Sequence, residues 1–320
     1  CYVVVSEMAK NKTGKKKIVV ASILAALAMQ TASVIDVAAA VGDQPSAAIA
    51  NGSVTSGKTN GLAIGNFASS GSNQSIAIGY YSVATATEAD PALPATAVGA
   101  GANATGQSTV ALGLLAQATS GSTTALGAKS VASEDAAVAV GYGTKATGNY
   151  ASALGADATA SNNDATAFGH GTVASGGSST ALGSRAKAGG TAGVGIGMLA
   201  NATNQYGVAI GGESSSSADN SIAIGRKSSV TGESGIAIGA FTTSKGANGV
   251  AVGTNGTKSD LGGVAVGQAA QSIAFNSVAT GMNVTAKGAN SVALGASATA
   301  NDDGTIAIGS YGSTPTKATG

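Results

Sequence analysis

A short apolar phrase recurs along this chain. SIAIG occupies residues 75–79 and returns at residues 221–225, while GIAIG stands at residues 235–239 and TIAIG at residues 305–309. The glycine that closes each phrase recurs with a 14-residue period from Gly65 to Gly309, and the single longer interval lies between Gly79 and Gly99. A fixed short period over most of a chain indicates a solenoid, in which each repeat packs only against its neighbours.

The 14-residue period also selects the kind of solenoid. Helical repeats need more than about 30 residues, and the 49 glycines of this chain disfavour helices. One period is long enough for two short strands and two tight turns. Left-handed triangular β-helices, in contrast, have coils built from six-residue repeats, which this period does not fit. The pattern therefore predicts an all-β solenoid of flat, two-sided coils, stacked at about 4.8 Å into a rod on the order of 90 Å long.

The side chains of a strand alternate between its two faces, so the repeat can be read column by column. The residues one and three before the closing glycine are mostly apolar, and we predict that they fill the coil interior. The residue between them is alanine in nearly every repeat, which predicts an outward position packed closely against a neighbouring subunit. The candidate interface residues in this column are Ala77, Ala111, Ala223 and Ala293.

The column four residues after the closing glycine varies freely among polar side chains. This variation predicts a solvated outer face that could contact a ligand, with small residues three and five after the glycine turned inward. The candidate residues of the outer face are Asn103, Gln117, Lys145, Lys187, Asn201 and Gln271.

The N-terminus has the pattern of a secretory signal. Five lysines between residues 10 and 17 precede an apolar run over residues 18–29 and small residues that end at Ala40, where we predict cleavage. The only cysteine, Cys1, lies in this part. Residues 41–320 carry 11 Lys and Arg against 13 Asp and Glu, which provides no basic patch for nucleic acid.

The phrases at residues 220–225 (NSIAIG) and 290–295 (NSVALG) resemble the head repeats of trimeric autotransporter adhesins. The resemblance covers roughly residues 46–310, and residues 2–10 look like the tail of the extended signal region of large autotransporters. It implies a left-handed parallel β-roll, a homotrimer, and a place at the far end of a surface fibre on a Gram-negative bacterium. It also implies host matrix proteins of the collagen type, or other cell surfaces, as partners.

The resemblance further implies a stalk and an outer-membrane anchor, which this sequence does not include. We therefore expect a cleaved signal region over residues 1–40, a β-roll head over residues 41–310, and the start of a further segment over residues 311–320. Contact with a membrane would run only through the missing anchor.

The long interval between Gly79 and Gly99 carries six extra residues near 85–94. Insertions in solenoids go to surface loops, which often bind ligands, although a merely tolerated insertion explains the same observation. The candidate contact residues of this loop are Glu88, Asp90, Pro91, Leu93 and Pro94.

Little in the sequence supports catalysis, and we predict no catalytic residues, no cofactor and no metal site. His170 follows a repeat glycine at a turn, and the acidic pairs at residues 134–135 and 302–303 fit charged loop tips. Three functions remain open at this point: an adhesin head acting through many weak contacts, a passive spacer in a surface fibre, and a carbohydrate-active enzyme on a β-helical scaffold. The enzyme is the least supported, because no carboxylates cluster in adjacent coils.

Overall fold

The computed structural model describes residues 47–49, 53–54, 60–86, 93–309 and 316–318. These residues form only strands and turns, and no helix among them is long and apolar enough to cross a bilayer. Each coil contributes one strand of three residues and one strand of two residues. The three-residue strands build one long sheet (sheet A), and the two-residue strands build a second (sheet B), so the fold is the predicted parallel β-solenoid.

Sheet A is a ladder in which every strand pairs in parallel with the equivalent strand of the next coil, and the last strand adds in the antiparallel direction. Its strands are Ala47–Ile49, Leu62–Ile64, Ile76–Ile78, Thr96–Val98, Val110–Leu112, Thr124–Leu126, Val138–Val140, Ser152–Leu154, Thr166–Phe168, Thr180–Leu182, Val194–Ile196, Val208–Ile210, Ile222–Ile224, Ile236–Ile238, Val250–Val252, Val264–Val266, Val278–Thr280, Val292–Leu294, Ile306–Ile308 and the antiparallel Thr316–Ala318.

Sheet B is a second parallel ladder that runs alongside the first. Its strands are Ser53–Val54, Ser69–Ser70, Val83–Ala84, Asn103–Ala104, Gln117–Ala118, Val131–Ala132, Lys145–Ala146, Thr159–Ala160, Val173–Ala174, Lys187–Ala188, Asn201–Ala202, Ser215–Ser216, Ser229–Val230, Thr243–Ser244, Lys258–Ser259, Gln271–Ser272, Thr285–Ala286 and Thr299–Ala300.

The first described strands are offset from their partners in the next coil by 15 residues in sheet A and by 16 in sheet B. Beyond them, the strand register follows the sequence period with two local departures. Ile76 pairs with Thr96 across the long interval, so sheet A stays continuous there. Farther along, Thr243 pairs with Lys258 and Lys258 with Gln271, so the first step exceeds the period by one residue and the second falls short of it by one. The second departure therefore cancels itself within one coil, and sheet A keeps its register there.

The coil interior is filled by small side chains from both sheets. The middle residue of each sheet A strand points inward, and it meets the residues three and five after the closing glycine, which are mostly Ala, Ser and Thr and are buried. Where serine occupies both sides of turn 2, defined here as the turn from sheet B to the next sheet A strand, the hydroxyls pair. The Oγ atoms of Ser216 and Ser221, for example, lie 2.6 Å apart. The inward orientation predicted for residues three and five after the glycine is confirmed.

The orientation predicted for the alanine column is wrong. Ala77, Ala111, Ala223 and Ala293 are all 0% exposed within a single chain, because they face the interior of their own coil. The apolar residues on either side of each alanine, predicted to be inside, point outward instead; Leu112 is 41% exposed and Leu126 is 40% exposed. These alanines therefore cannot form a subunit interface.

The physical reason is the width of the coil. Two tight turns bring the sheets so close that only small side chains fit between them, and at Gly195 even an added Cβ would lie 2.4 Å from the carbonyl oxygen of Lys187 on the opposite strand. The alanine column is nearly invariant because the space inside is limited. Each buried methyl group contributes about 0.8 kcal/mol, so stability comes from the number of coils.

The closing glycine begins turn 1, the turn from sheet A to the sheet B strand. Gly225 adopts φ = 128°, which L side chains rarely occupy, and a Cβ there would lie 2.5 Å from the carbonyl oxygen of Gly239 in the next coil. Any side chain would thus push neighbouring turns apart. This explains why glycine ends every phrase.

The corrected orientation is testable in one coil. Ala223→Leu forces a large side chain between the sheets and should lower the free energy of unfolding by about 1–3 kcal/mol. Ile224→Leu, at the adjacent outward position where leucine already occurs in other coils, should change it by less than about 0.5 kcal/mol. Urea unfolding followed by circular dichroism measures both; equal stability of the two variants would contradict the inward alanine.

Candidate functional site

The outer surface of sheet B is mostly polar along the described coils, with Val83, Val131, Val173 and Ile273 as apolar exceptions. The first residue of each sheet B strand and the residue that follows the strand point away from the interior, and both columns are rich in Ser, Thr, Asn, Gln and Lys. Parallel pairing repeats these side chains from coil to coil in straight rows. Along the described coils, sheet B therefore presents a long, mostly hydrophilic surface.

All six residues predicted for the outer face begin sheet B strands. Gln117, Lys145 and Lys187 are exposed, whereas Asn103, Asn201 and Gln271 are half-buried. The amide oxygens of Asn103 and Asn201 are buried and accept no hydrogen bond from the described residues. The structure thus brings these six residues onto one surface, and their contact with a ligand stays a prediction.

Charge is distributed unequally between sheet B and the tip of turn 2, which we define as the second to fourth residues before each sheet A strand. The described tips contain eight carboxylates and no lysine or arginine. Five lysines lie instead on or directly after the sheet B strands. The acidic tip residues are Glu134, Asp135, Asp164, Asp219, Glu233, Asp260, Asp302 and Asp303, and the lysines are Lys145, Lys187, Lys245, Lys258 and Lys287.

Side chains at the tip of turn 2 also bond from coil to coil. The backbone N–H of Asp135 donates to Asn149 Oδ1 at 3.3 Å, and the N–H of Asn149 donates to Asn163 Oδ1 at the same distance. Ala289 N–H donates to Asp303 Oδ1 at 2.8 Å in another part of the rod. These polar residues satisfy backbone donors of the preceding coil, and the acidic pairs occupy turn tips as predicted.

Sheet A presents the opposite chemistry. The first and third residues of its strands are Val, Ile, Leu or Phe in most coils, and many stand more than a third exposed in the single chain, with Phe168 at 47%. Because the coils are stacked in register, these side chains form a continuous apolar stripe along the rod. The stripe is far longer than the scattered apolar residues usual on soluble monomers.

Turn 1 extends this apolar surface with aromatic and aliphatic side chains. Phe67 stacks on Tyr81 with ring centroids 4.7 Å apart, and Tyr80 meets Tyr81 edge to face at 4.5 Å. The pKa of Tyr80 is raised mainly by desolvation, and to a smaller extent by the charge of Tyr81 and by a hydrogen bond between the two side chains. Other exposed apolar residues at turn 1 include Leu114, Leu115, Met198, Leu199 and Phe241.

The remaining predicted positions lie at turns or outside the described residues. Leu93 and Pro94 are half-buried where the inserted loop rejoins sheet A, whereas Glu88, Asp90 and Pro91 lie outside the described residues, as does the predicted signal region. His170 is exposed at turn 1. No group of three or more His, Cys, Asp and Glu side chains within the described ranges could hold a metal ion.

Comparison with known proteins assigns the repeats. The family of the YadA head domain repeat (2 copies) matches residues 56–87, 94–116, 118–144, 146–172, 174–199, 202–228, 231–255 and 286–311. Among solved structures, the crystal structure of the collagen-binding domain of Yersinia adhesin YadA is 29% identical, with 54% of this chain and 78% of that chain covered at a TM-score of 0.24. No curated protein matches the chain.

Proposed function

Since its repeats match over more than half of the sequence, the chain belongs to the YadA head domain repeat family, and we propose that it is the head of a surface-exposed trimeric adhesin. In this proposal three copies assemble side by side, and the trimer attaches a bacterium to host matrix proteins or to other cells. The solved relative is described as a collagen-binding domain, which makes collagen-type matrix proteins the first ligands to test.

The observation that carries the proposal is the contrast between the outer faces of the two sheets. Sheet A is mostly apolar from coil to coil, whereas sheet B is mostly polar and carries five lysines on or directly after its strands. A rod that acted alone in water would have no reason to keep one face apolar over its length. The contrast indicates one face for assembly and the other for contact with a ligand.

Further copies of the chain are the partner that fits sheet A. Every copy carries the same stripe with the same spacing between coils, so apolar rows of neighbouring copies can pack in register over many coils. Burial gains roughly 25 cal/mol per Å² of apolar surface removed from water, which favours assembly over a long stripe. The apolar columns beside each alanine thus replace the alanines themselves as the proposed subunit contact.

Assembly through sheet A leaves sheet B and its lysines facing outward on each copy. The outward side chains of sheet B are mostly short and polar, so individual contacts with a ligand would be weak. Repetition along the rod and over three copies raises the overall avidity by two to four orders of magnitude when several contacts form at once. This arrangement suits attachment to a repetitive surface such as a matrix fibre.

The signal region, export to the surface and anchoring in an outer membrane belong to the same proposal. They are supported by the pattern of residues 1–40 and by the family of the repeats. The passive spacer is the alternative, because a rod can extend another domain without binding anything itself. An enzyme on this scaffold ranks last, because the carboxylates of the described coils lie scattered along turn tips.

Assembly can be tested by placing charge on sheet A. Replacing Leu112, Leu126, Val140 and Leu154 with lysine puts four cations in successive coils of the stripe, twelve in a trimer. We expect the mass measured by light scattering to fall from three chains to one, or the trimer to dissociate at a protein concentration at least tenfold higher. The outward position of these residues should leave the circular dichroism spectrum of the coil unchanged.

The matched control places lysine on sheet B of the same coils. Gln117→Lys, Val131→Lys and Thr159→Lys join Lys145, which already stands in that column. This variant should keep the mass of the unmodified chain. A wild-type chain that is a folded monomer at all concentrations would contradict assembly through sheet A.

Attachment can be tested with the same proteins. The assembled chain should bind surfaces coated with collagen or other matrix proteins, and the sheet A variant should bind on the order of 100-fold more weakly because avidity is lost. Surface plasmon resonance over a panel of matrix proteins and whole bacterial cells measures this. If the trimer forms and binds none of the panel, the spacer is the better account.

A further inference from the structure

An open cleft of about 570 Å³ crosses the tips of turn 2 in four successive coils. Gln107 stands at one end, Tyr150 at the other, and Ser120, Gly121 and Asp135 lie between them. Three steps between coils make the cleft about 14 Å long. The lining is predominantly polar and includes hydroxyl, amide, carboxylate and backbone groups.

Gly121 opens the cleft, and the fold does not require a glycine at this position. The backbone there is not in the left-handed region, and an added Cβ would meet only Asp135 Oδ1 at an ordinary 3.4 Å. Neighbouring coils carry larger polar side chains in the same column, such as Gln107 and Asn149. The missing side chain of Gly121 therefore leaves a gap between the side chains of Gln107 and Asp135 in this column.

Asp135 is held in position at the wall of the cleft. Its Oδ1 accepts hydrogen bonds from the Ser120 hydroxyl and from the Gly121 N–H, the latter at 3.2 Å. Its own backbone N–H donates to Asn149 Oδ1. Within the described part of the chain no hydrogen bond reaches Oδ2, which leaves this fixed carboxylate able to accept from a ligand hydroxyl.

Tyr150 supplies an apolar surface beside these polar groups. Its side chain is 66% exposed, while its backbone N–H is fixed by a 2.8 Å bond to the Asp135 carbonyl oxygen. A tyrosine ring offers a flat apolar face together with a hydroxyl that can hydrogen-bond. A sugar ring has the complementary form, with a C–H face and a rim of hydroxyls.

We propose that this cleft binds a neutral oligosaccharide, with a sugar ring against Tyr150 and its hydroxyls donating to Asp135. The negative charge of the tips around the cleft repels acidic glycans, because these tips carry Glu134, Asp135 and Asp164 and no cation. None of the cleft residues belongs to a sheet A strand, so the cleft and the proposed subunit contact use different surfaces. The inference rests on the proposed attachment function and names one class of ligand for it.

A related arrangement elsewhere in the rod provides matched controls. Gly177, Thr191 and Tyr206 occupy the same three columns four coils later, with threonine in place of the carboxylate. Tyr206 is also well exposed, at 57%, and an added Cβ at Gly177 would meet only Asn162 Oδ1, at 4.0 Å. Substitutions in these columns therefore test the cleft against an equivalent backbone that lacks Asp135.

The test measures binding of the purified chain to an array of neutral, sialylated and sulfated oligosaccharides. The neutral disaccharide N-acetyllactosamine is then titrated by NMR, or the strongest neutral binder on the array in its place. Tyr150→Ala, Gly121→Gln and Asp135→Thr should each weaken binding at least tenfold. Tyr206→Ala and Gly177→Gln should leave it within twofold, and all five variants should keep the unfolding midpoint of the parent.

Three results would overturn the proposal: no neutral glycan binds, only acidic glycans bind, or the control variants lose as much affinity as the cleft variants. Attachment to matrix-coated surfaces is measured in parallel on the same proteins. If matrix attachment persists while no neutral glycan binds, this inference fails and the proposed function stands. If a neutral glycan binds through the cleft while the matrix panel stays negative, the ligand of the head is the glycan.

Discussion

The narrow interior of the coil is the constraint on which the rest of this structure depends. The two tight turns of each coil hold sheets A and B so close that alanine, serine and threonine fill the space between them. A large inward side chain needs a small residue opposite it. Val230, for example, faces Gly235, where an added Cβ would lie 2.8 Å from a Val230 methyl carbon. The core is a row of small contacts, and its stability grows with the number of coils.

That constraint forces the larger apolar side chains outward. A globular domain would bury its valines, isoleucines and leucines, but in this fold they have no room inside and line sheet A. The chain therefore folds with much of its strongest hydrophobic surface still exposed. The mostly polar side chains of sheet B can remain in contact with water. This difference between the two faces provides the physical basis for assembly on one side and attachment on the other.

The architecture could be predicted from the sequence because the glycine period fixes it. The spacing alone predicts two short strands and two turns per coil, and the column that contains Asn103 and Lys145 faces outward as predicted. The alanine column departs from the prediction because hydrophobicity does not decide burial in this fold. In a coil this thin, size decides instead, and the near absence of size variation at Ala223 and its equivalents was the signal to read.

A site can arise in such a rod where the residue of one coil differs from the residues at the same position in the other coils. An average over all coils hides these differences. Gly195 departs because the sheets approach too closely there for a Cβ, which is a demand of packing. Gly121 departs without such a demand, and its effect is to open space between Gln107 and Asp135 at the surface. The sequence alone does not separate these two glycines, since both read as a small residue in a repeat. Only the atoms that an added Cβ would meet distinguish a glycine required by the fold from one that shapes a surface.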